Sequence, residues 1–301
     1  MDDVKKLKDL FNEYRTHNPK FFYDIDHDSN GVVSNIFWSH ASCQANYAEF
    51  GDVVTFDTTY RSNFYHMPLG MFVGSNHHLQ NVIFGFVLIG DETEKTFEWV
   101  FRTFRRCMEG KDPICILTGI LRIFCVDKHA LPIDLVPIFL LTKNYFVDQD
   151  QAMANALSLV FLKTIHRLCR WHMLNKYSES LNKLFRAYKG LEEKLLTAVN
   201  HPLTPTEFEN AWQEMVSEYE LQADPTLCSL YEVRSTWIAA YFKNIFCGRM
   251  TSTQRSESTN RMVKRYHVDE STPLHVFAQT MYQVLQRMKD SEGRETIAEQ
   301  V

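Results

Sequence analysis

Three carboxylates stand where the chain changes character: Asp57 at the end of a β-branched apolar run, Asp148 just ahead of a helical stretch, and Glu257 opening a late helix. Holding such groups near one another is costly unless something neutralises them, and a divalent cation does this while organising phosphate oxygens. Three carboxylates could hold two ions about 3.5–4 Å apart, one activating the attacking oxygen of a phosphodiester transfer and the other stabilising the leaving oxygen. Aspartate is also common where strands exit, so position alone leaves both readings open. Asp150, two residues beyond Asp148, rivals it for the second place.

Other groups invite weaker readings. Asp26-His27-Asp28-Ser29-Asn30-Gly31 has the look of a calcium loop, but Phe37 stands where the closing glutamate belongs, so a polar turn is favoured. His77-His78 reads as a surface or hydrogen-bonding pair. Between 243 and 267, Lys243, Arg249, Arg255, Arg261, Lys264 and Arg265 face only Glu257, a local basic stretch suited to phosphates or to a solvated helix face.

Elements must position these groups. Residues 1–20 read as an amphipathic helix ended by Asn18-Pro19, and Phe21–Ile25 with Val32–Trp38 as a hairpin. Strands are predicted at 53–56, 66–73 and 82–89, a helix at 94–110 closed by Gly110, and a fourth strand at 114–117. A helix over 152–161 and a short strand at 164–169 follow. Residues 172–247 are helical in pattern, and two last helices span 254–266 and 273–291, with a charged tail from Asp290 expected to fray.

The composition bounds the function. The chain has 301 residues, 45% of them hydrophobic, and a net charge of −5, so any nucleic-acid contact must be local. No apolar run approaches the roughly 20 residues a membrane span needs. The charged start, without an apolar leader, implies an intracellular, reducing compartment. Seven scattered cysteines with no Cys-x-x-Cys pair argue for buried thiols over a disulfide framework or a four-cysteine zinc module.

The order of elements is that of an α/β ribonuclease-H-like core, a mixed sheet flanked by helices, carrying a large helical insertion. Several words within it, Phe56-Asp57-Thr58-Thr59-Tyr60-Arg61, Asp148-Gln149-Asp150-Gln151-Ala152-Met153, His166-Arg167-Leu168-Cys169-Arg170-Trp171-His172 and Gln254-Arg255-Ser256-Glu257-Ser258-Thr259-Asn260, resemble the Mutator-like transposase domain. More narrowly, they resemble the plant far-red-impaired-response-related proteins, domesticated from such transposases. The resemblance runs from Phe21 onward. It implies an Asp-Asp-Glu triad at Asp57, Asp148 and Glu257, with Mg²⁺ as the cofactor of an active enzyme, and it favours Asp148 over Asp150. Cys169 and His172 match a Cys-x-x-His word of these transposases. Structural zinc needs four protein ligands, and with His166 as a third candidate the set is still short, so packing or DNA positioning is the favoured role.

The resemblance divides the chain into 1–50, a helix and hairpin leading in; 51–171, the core; 172–250, the helical insertion; and 251–301, helices closing the core. The zinc-containing modules typical of the family, an amino-terminal DNA-binding domain and a SWIM finger, have no counterpart in this sequence. Residues 119–147 interrupt the family pattern between the fourth strand and Asp148. A retained intron is the favoured cause: a Gly119 codon beginning G-GT could supply a donor, and GTA-GAY for Val147-Asp148 could supply an acceptor. The alternative is a genuine apolar insertion. Either way Asp148 is no longer tied directly to the strand at 114–118, unless Tyr145-Phe146-Val147 replaces that strand's end.

Three functions are then in play. The first is a nuclear regulator of transcription that contacts DNA, through Arg249, Arg255, Arg261, Lys264 and Arg265, and forms homo- or hetero-oligomers with related proteins. The second is an active Mutator-like transposase. The third is an inert truncated fragment. No membrane partner is expected.

Overall fold

The computed structural model describes residues 2–59, 63–119, 145–245, 259 and 268–298. Helix α1 (Asp2–His17) leads into the hairpin β1 (Phe22–His27) and β2 (Val33–Ser39), then α2 (Ala41–Phe50). Strands β3 (Val53–Thr59), β4 (Leu69–Ser75) and β5 (Asn81–Ile89) form an antiparallel meander. Next come α3 (Glu94–Cys107), β6 (Cys115–Thr118), α4 (Tyr145–Val160) and β7 (Ile165–Leu168). A run of short helices follows: α5 (Arg170–Lys176), α6 (Ser178–Ala187), α7 (Leu191–Asn200), α8 (Pro205–Glu218), α9 (Pro225–Glu232) and α10 (Arg234–Trp237). The long α11 (Leu274–Ala298) comes last.

The strands form one seven-stranded sheet in the order β1-β2-β5-β4-β3-β6-β7. Pairings from β1 to β3 are antiparallel, whereas β6 runs parallel to β3 and β7 parallel to β6. Parallel neighbours need crossovers, and the segments containing α3 and α4 supply them. Strand alternation gives the sheet two apolar faces. On one, Phe37, Phe56, Phe72 and Ile116 meet Phe97, Phe101 and Phe104 of α3 and Ala156, Leu157 and Val160 of α4. The Phe72 and Phe104 rings stack there at 3.8 Å. On the other, Trp38, Leu69, Met71 and Val73 meet Phe11 of α1 and Phe277, Met281 and Val284 of α11.

The short helices have a separate core built on Leu191, Leu195, Phe208, Trp212, Met215, Leu227 and Trp237. Their starts carry local signals. Thr204 accepts a hydrogen bond from the Glu207 N–H, Asp224 accepts from Thr226 and Leu227, and Pro205 and Pro225 occupy the first helical positions. Thr93 caps α3 in the same way. Glycine is required at Gly74, where an added Cβ would lie 2.3 Å from the Phe84 ring.

The structure corrects four expectations. Helix α2 has no counterpart among the predicted elements. Asp57 lies inside β3, opposite Met71, because the strand continues to Thr59. Tyr145-Phe146-Val147 does not extend β6: these residues open α4, a run of helix-compatible residues with neither Gly nor Pro, so Asp148 and Asp150 sit within its first turns rather than before it. The backbone beyond Asp290 stays helical to Ala298. The helix expected at 254–266 lies outside the described residues, as do residues 120–144.

Candidate functional site

Because β3, β6 and β7 are parallel, their carboxyl ends open on one edge of the sheet, the edge where open α/β sheets place ligands. Phe56 pairs with Thr118, and Thr118 with Leu168. One step further, the Gly119 N–H donates to the Phe56 carbonyl at 3.4 Å and the Cys169 N–H to the Thr118 carbonyl at 2.9 Å. Asp57, Gly119 and Cys169 therefore stand level on adjacent strands.

Asp57 has no exposed surface, and alternation sets it on the face of Thr55, Met71 and Leu117, opposite Phe56. One level back on that face, Thr55, Leu117 and Arg167 align across the strands. Arg167 is 2% exposed, with its guanidinium 4.0 Å above the Phe242 ring, which brings a cation to the side of the sheet that holds the acid. An arginine within the four-residue Ile165–Leu168 strand, beside His166, was the available signal. Cys169 and His172 are buried at the start of α5, and burial pulls the His172 imidazole down to about 4, which keeps it neutral near pH 7. None of Asp57, Arg167, Cys169 and His172 is without a partner. His166 lies on the opposite face and shares a 2.8 Å hydrogen bond with Thr118 Oγ1, away from Cys169.

The other sequence candidates are placed as follows. Helix α4 packs against the Phe56 face, so Asp148 and Asp150 belong to an element across the sheet from the face that Asp57 occupies. Position 148 shares a helix stripe with Gln151 and Asn155, and Asn155 donates to Glu94 at the start of α3 at 2.8 Å. Glu257, Arg249, Arg255, Arg261, Lys264 and Arg265 lie outside the described residues. Among the described residues no group of three or more His, Cys, Asp or Glu side chains could hold a metal ion. Lys243 follows the 3₁₀ turn Ala239–Phe242 that presents Phe242 to Arg167. His77 is exposed, with its ring edge-on to Phe50 and its Nε2 3.4 Å from Glu49. The loop at Asp28 is a tight turn, with Asp28 Oδ1 accepting from the Asn30 and Val32 N–H groups at 2.8 Å.

A family model for the MULE transposase domain matches residues 53–121, which run from the start of β3 just past β6 and include Asp57. The chain is 31% identical over 290 residues to Protein FAR1-RELATED SEQUENCE 5 of Arabidopsis thaliana, covering 96% of this chain and 33% of that protein. It is 31% identical over 291 residues to Protein FAR-RED IMPAIRED RESPONSE 1 of the same plant, covering 97% and 32%. Protein FAR1-RELATED SEQUENCE 2, also from Arabidopsis, is 30% identical over 296 residues, covering 98% and 33%. The chain spans about a third of the length of these relatives.

Proposed function

Because the chain belongs to the far-red-impaired-response-related family, whose core derives from Mutator-like transposases, we propose that it serves as the core of a nuclear regulator of DNA-templated transcription in a plant light response. The observation that carries this reading is the reach of the similarity, which takes in the sheet, the separate helical core and α11 rather than the segment around Asp57 alone. The strand order supports a ribonuclease-H-like core: three antiparallel strands β5-β4-β3, then β6 and β7 parallel on the far side, with a helical block leaving from the end of β7. In this reading the core is a platform. Arg249, Arg255, Arg261, Lys264 and Arg265 contact phosphates, and copies of this or related chains assemble on it.

A second reading, an active transposase, draws on the burial of Asp57 at the carboxyl edge. The triad that reading needs is Asp57, Asp148 and Glu257 around Mg²⁺, which would supply activation of the attacking oxygen; with Asp148 on α4 across the sheet, only Asp57 of the described residues stands at this edge.

The test sets the two side by side. A fluorescent fusion in plant cells is expected in the nucleus, with promoter occupancy and no divalent-dependent cleavage of DNA carrying terminal inverted repeats. Reversing the charge of Arg261 and Lys264 is expected to weaken DNA binding and flatten its salt dependence by roughly one unit of slope per lost phosphate contact. Mg²⁺- or Mn²⁺-dependent cleavage abolished by Asp57→Ala would replace the regulator with the enzyme. Affinity and salt slope unchanged by the charge reversals would remove the basic stretch from the interface.

A further inference from the structure

Nine prolines stand in the chain, and only Pro205 and Pro273 follow a serine or threonine. Thr204-Pro205 and Thr272-Pro273 have equal standing in sequence as targets of a kinase that reads a proline after the acceptor hydroxyl. The fold treats them differently. Thr272 is 8% exposed, and its Oγ1 accepts from the Asp269 N–H at 3.0 Å and donates to the Asp269 carboxylate at 3.3 Å. Its carbonyl accepts from the Phe64 N–H at 2.9 Å. A phosphate there would be pressed against the Asp269 carboxylate within the packing at the start of α11, which like-charge repulsion and desolvation both oppose.

Thr204 is in the opposite situation. From Asn200 to Glu207 no residue is buried, while Val199 before the segment and Phe208 after it belong to the core of the helical block. The segment can therefore enter an enzyme cleft without moving a core side chain. Pro205 disfavours helical backbone at the residue before it, and Thr204 is accordingly extended, at φ −128° and ψ 156°. Leu203 beside it is 61% exposed and offers the cleft an apolar side chain. Two side-chain bonds close the first turn of α8, from the Glu207 N–H to Thr204 Oγ1 at 3.2 Å and from the Leu203 N–H to the Glu207 carboxylate at 2.6 Å. Both are open to solvent, and helix ends held in this way fray readily. We propose that Thr204 is the phosphoacceptor of a proline-directed serine/threonine kinase. Thr204 Oγ1 attacks the γ-phosphorus of a nucleoside triphosphate, and the new O–P bond replaces the bond to the β-phosphate oxygen. The hydroxyl proton passes to a base of the kinase, and the nucleoside diphosphate leaves. The product places roughly two negative charges beside Glu207, so the carboxylate is driven off the Leu203 N–H while a phosphate oxygen takes over the Glu207 N–H. One cap is traded for another, and an exposed apolar tip becomes an anionic one.

Peptide mass spectrometry tests this on the full chain, both after incubation with a purified proline-directed kinase and Mg²⁺-ATP and after recovery from plant cells under phosphatase inhibition. A phosphate is expected on Thr204 and none on Thr272. Synthetic peptides spanning 199–209 and 267–277 are both expected to be modified, which assigns the silence of Thr272 in the whole chain to its burial. Pro205→Ala keeps the hydroxyl and its place at the helix start, and is expected to abolish incorporation with a Tm within a few degrees of the parent's. Thr204→Ser is expected to retain incorporation, so the test does not rest on Thr204→Ala, which also removes a cap. Absence of phosphate from Thr204 with the purified kinase, or from the chain recovered from cells, would overturn the proposal. So would Thr272 modified as readily as Thr204 in the whole chain, undiminished incorporation in Pro205→Ala, or a 267–277 peptide that stays unmodified, since sequence and not burial would then separate the two sites.

Discussion

Burial holds the imidazoles of His40, His166 and His172 near 4, well below the 6.5 of a solvated histidine, so all three fold as neutral rings. The consequence for stability follows from proton counting. Above pH 6.5 both states are neutral and the shift has no effect. Between 6.5 and 4 the unfolded chain takes up protons that the folded chain refuses, so stability falls as the pH falls, and below 4 the loss is complete. The loss is roughly 3 kcal/mol per histidine across that window. Urea unfolding between pH 4.5 and 7 is expected to show it. His172→Gln is expected to flatten the profile by about a third, since one of the three rings no longer titrates. A variant profile parallel to that of the parent chain would place the pH dependence elsewhere. His172 was legible as part of a word with Cys169; its burial was not, because the 50% exposed Trp171 and buried His172 are neighbours on a seven-residue helix too short to show a stripe.

At the scale of elements, periodicity found what packing had written into the sequence. The strands from Val53 to Ile89 and the Phe97, Phe101 and Phe104 stripe of α3 were readable because each buries an apolar face. Helix α2 was not, since its ten residues bury only Cys43 and Tyr47 and leave no sustained stripe. The level alignment of Asp57, Gly119 and Cys169 was also out of reach, because it depends on the register of three strands far apart in sequence. A second long-range tie joins α1 to α11. Asp3 accepts from the Leu274 N–H at 2.8 Å and lies 2.6 Å from His275 Nδ1, so a side chain of the first helix caps the N-terminus of the last. Carboxylates are favoured there by both the free N–H groups and the helix dipole. Asp3→Ala is expected to cost about 1 kcal/mol in chemical denaturation, and Asp3→Asn, which keeps an acceptor, to recover part of it. Equal loss in both variants would show that the charge and not the cap is what matters.

At the scale of the whole molecule, the sheet is clasped by α3 and α4 on one face and by α1 and α11 on the other, and each element flanking residues 119–144 is anchored independently. Strand β6 is paired on both sides, and α4 enters the core through Met153, Ala156, Leu157 and Val160. Deleting residues 119–147 would join Thr118 to Asp148, removing three residues from the start of α4 and none of those core side chains. Replacing a connection of some 25 residues by residues 149–152 lowers the loop-closure cost by roughly 1.5 kcal/mol, which offsets part of the cost of unwinding α4 as far as Met153. The shortened chain is therefore expected to unfold cooperatively with a Tm within a few degrees of the parent's, and loss of cooperativity in thermal unfolding would show that the segment is part of the core. The deletion has a further consequence. Asp148 would take the place of Gly119, on the strand beside Asp57 and level with it, on the same face of the sheet. Two carboxylates at that spacing repel unless a cation lies between them. Mg²⁺ or Mn²⁺ is accordingly expected to raise the Tm of the shortened chain more than that of the parent, and Asp57→Ala to abolish the difference. Equal response of the two chains to the cation would mean that the second carboxylate of this edge is not Asp148.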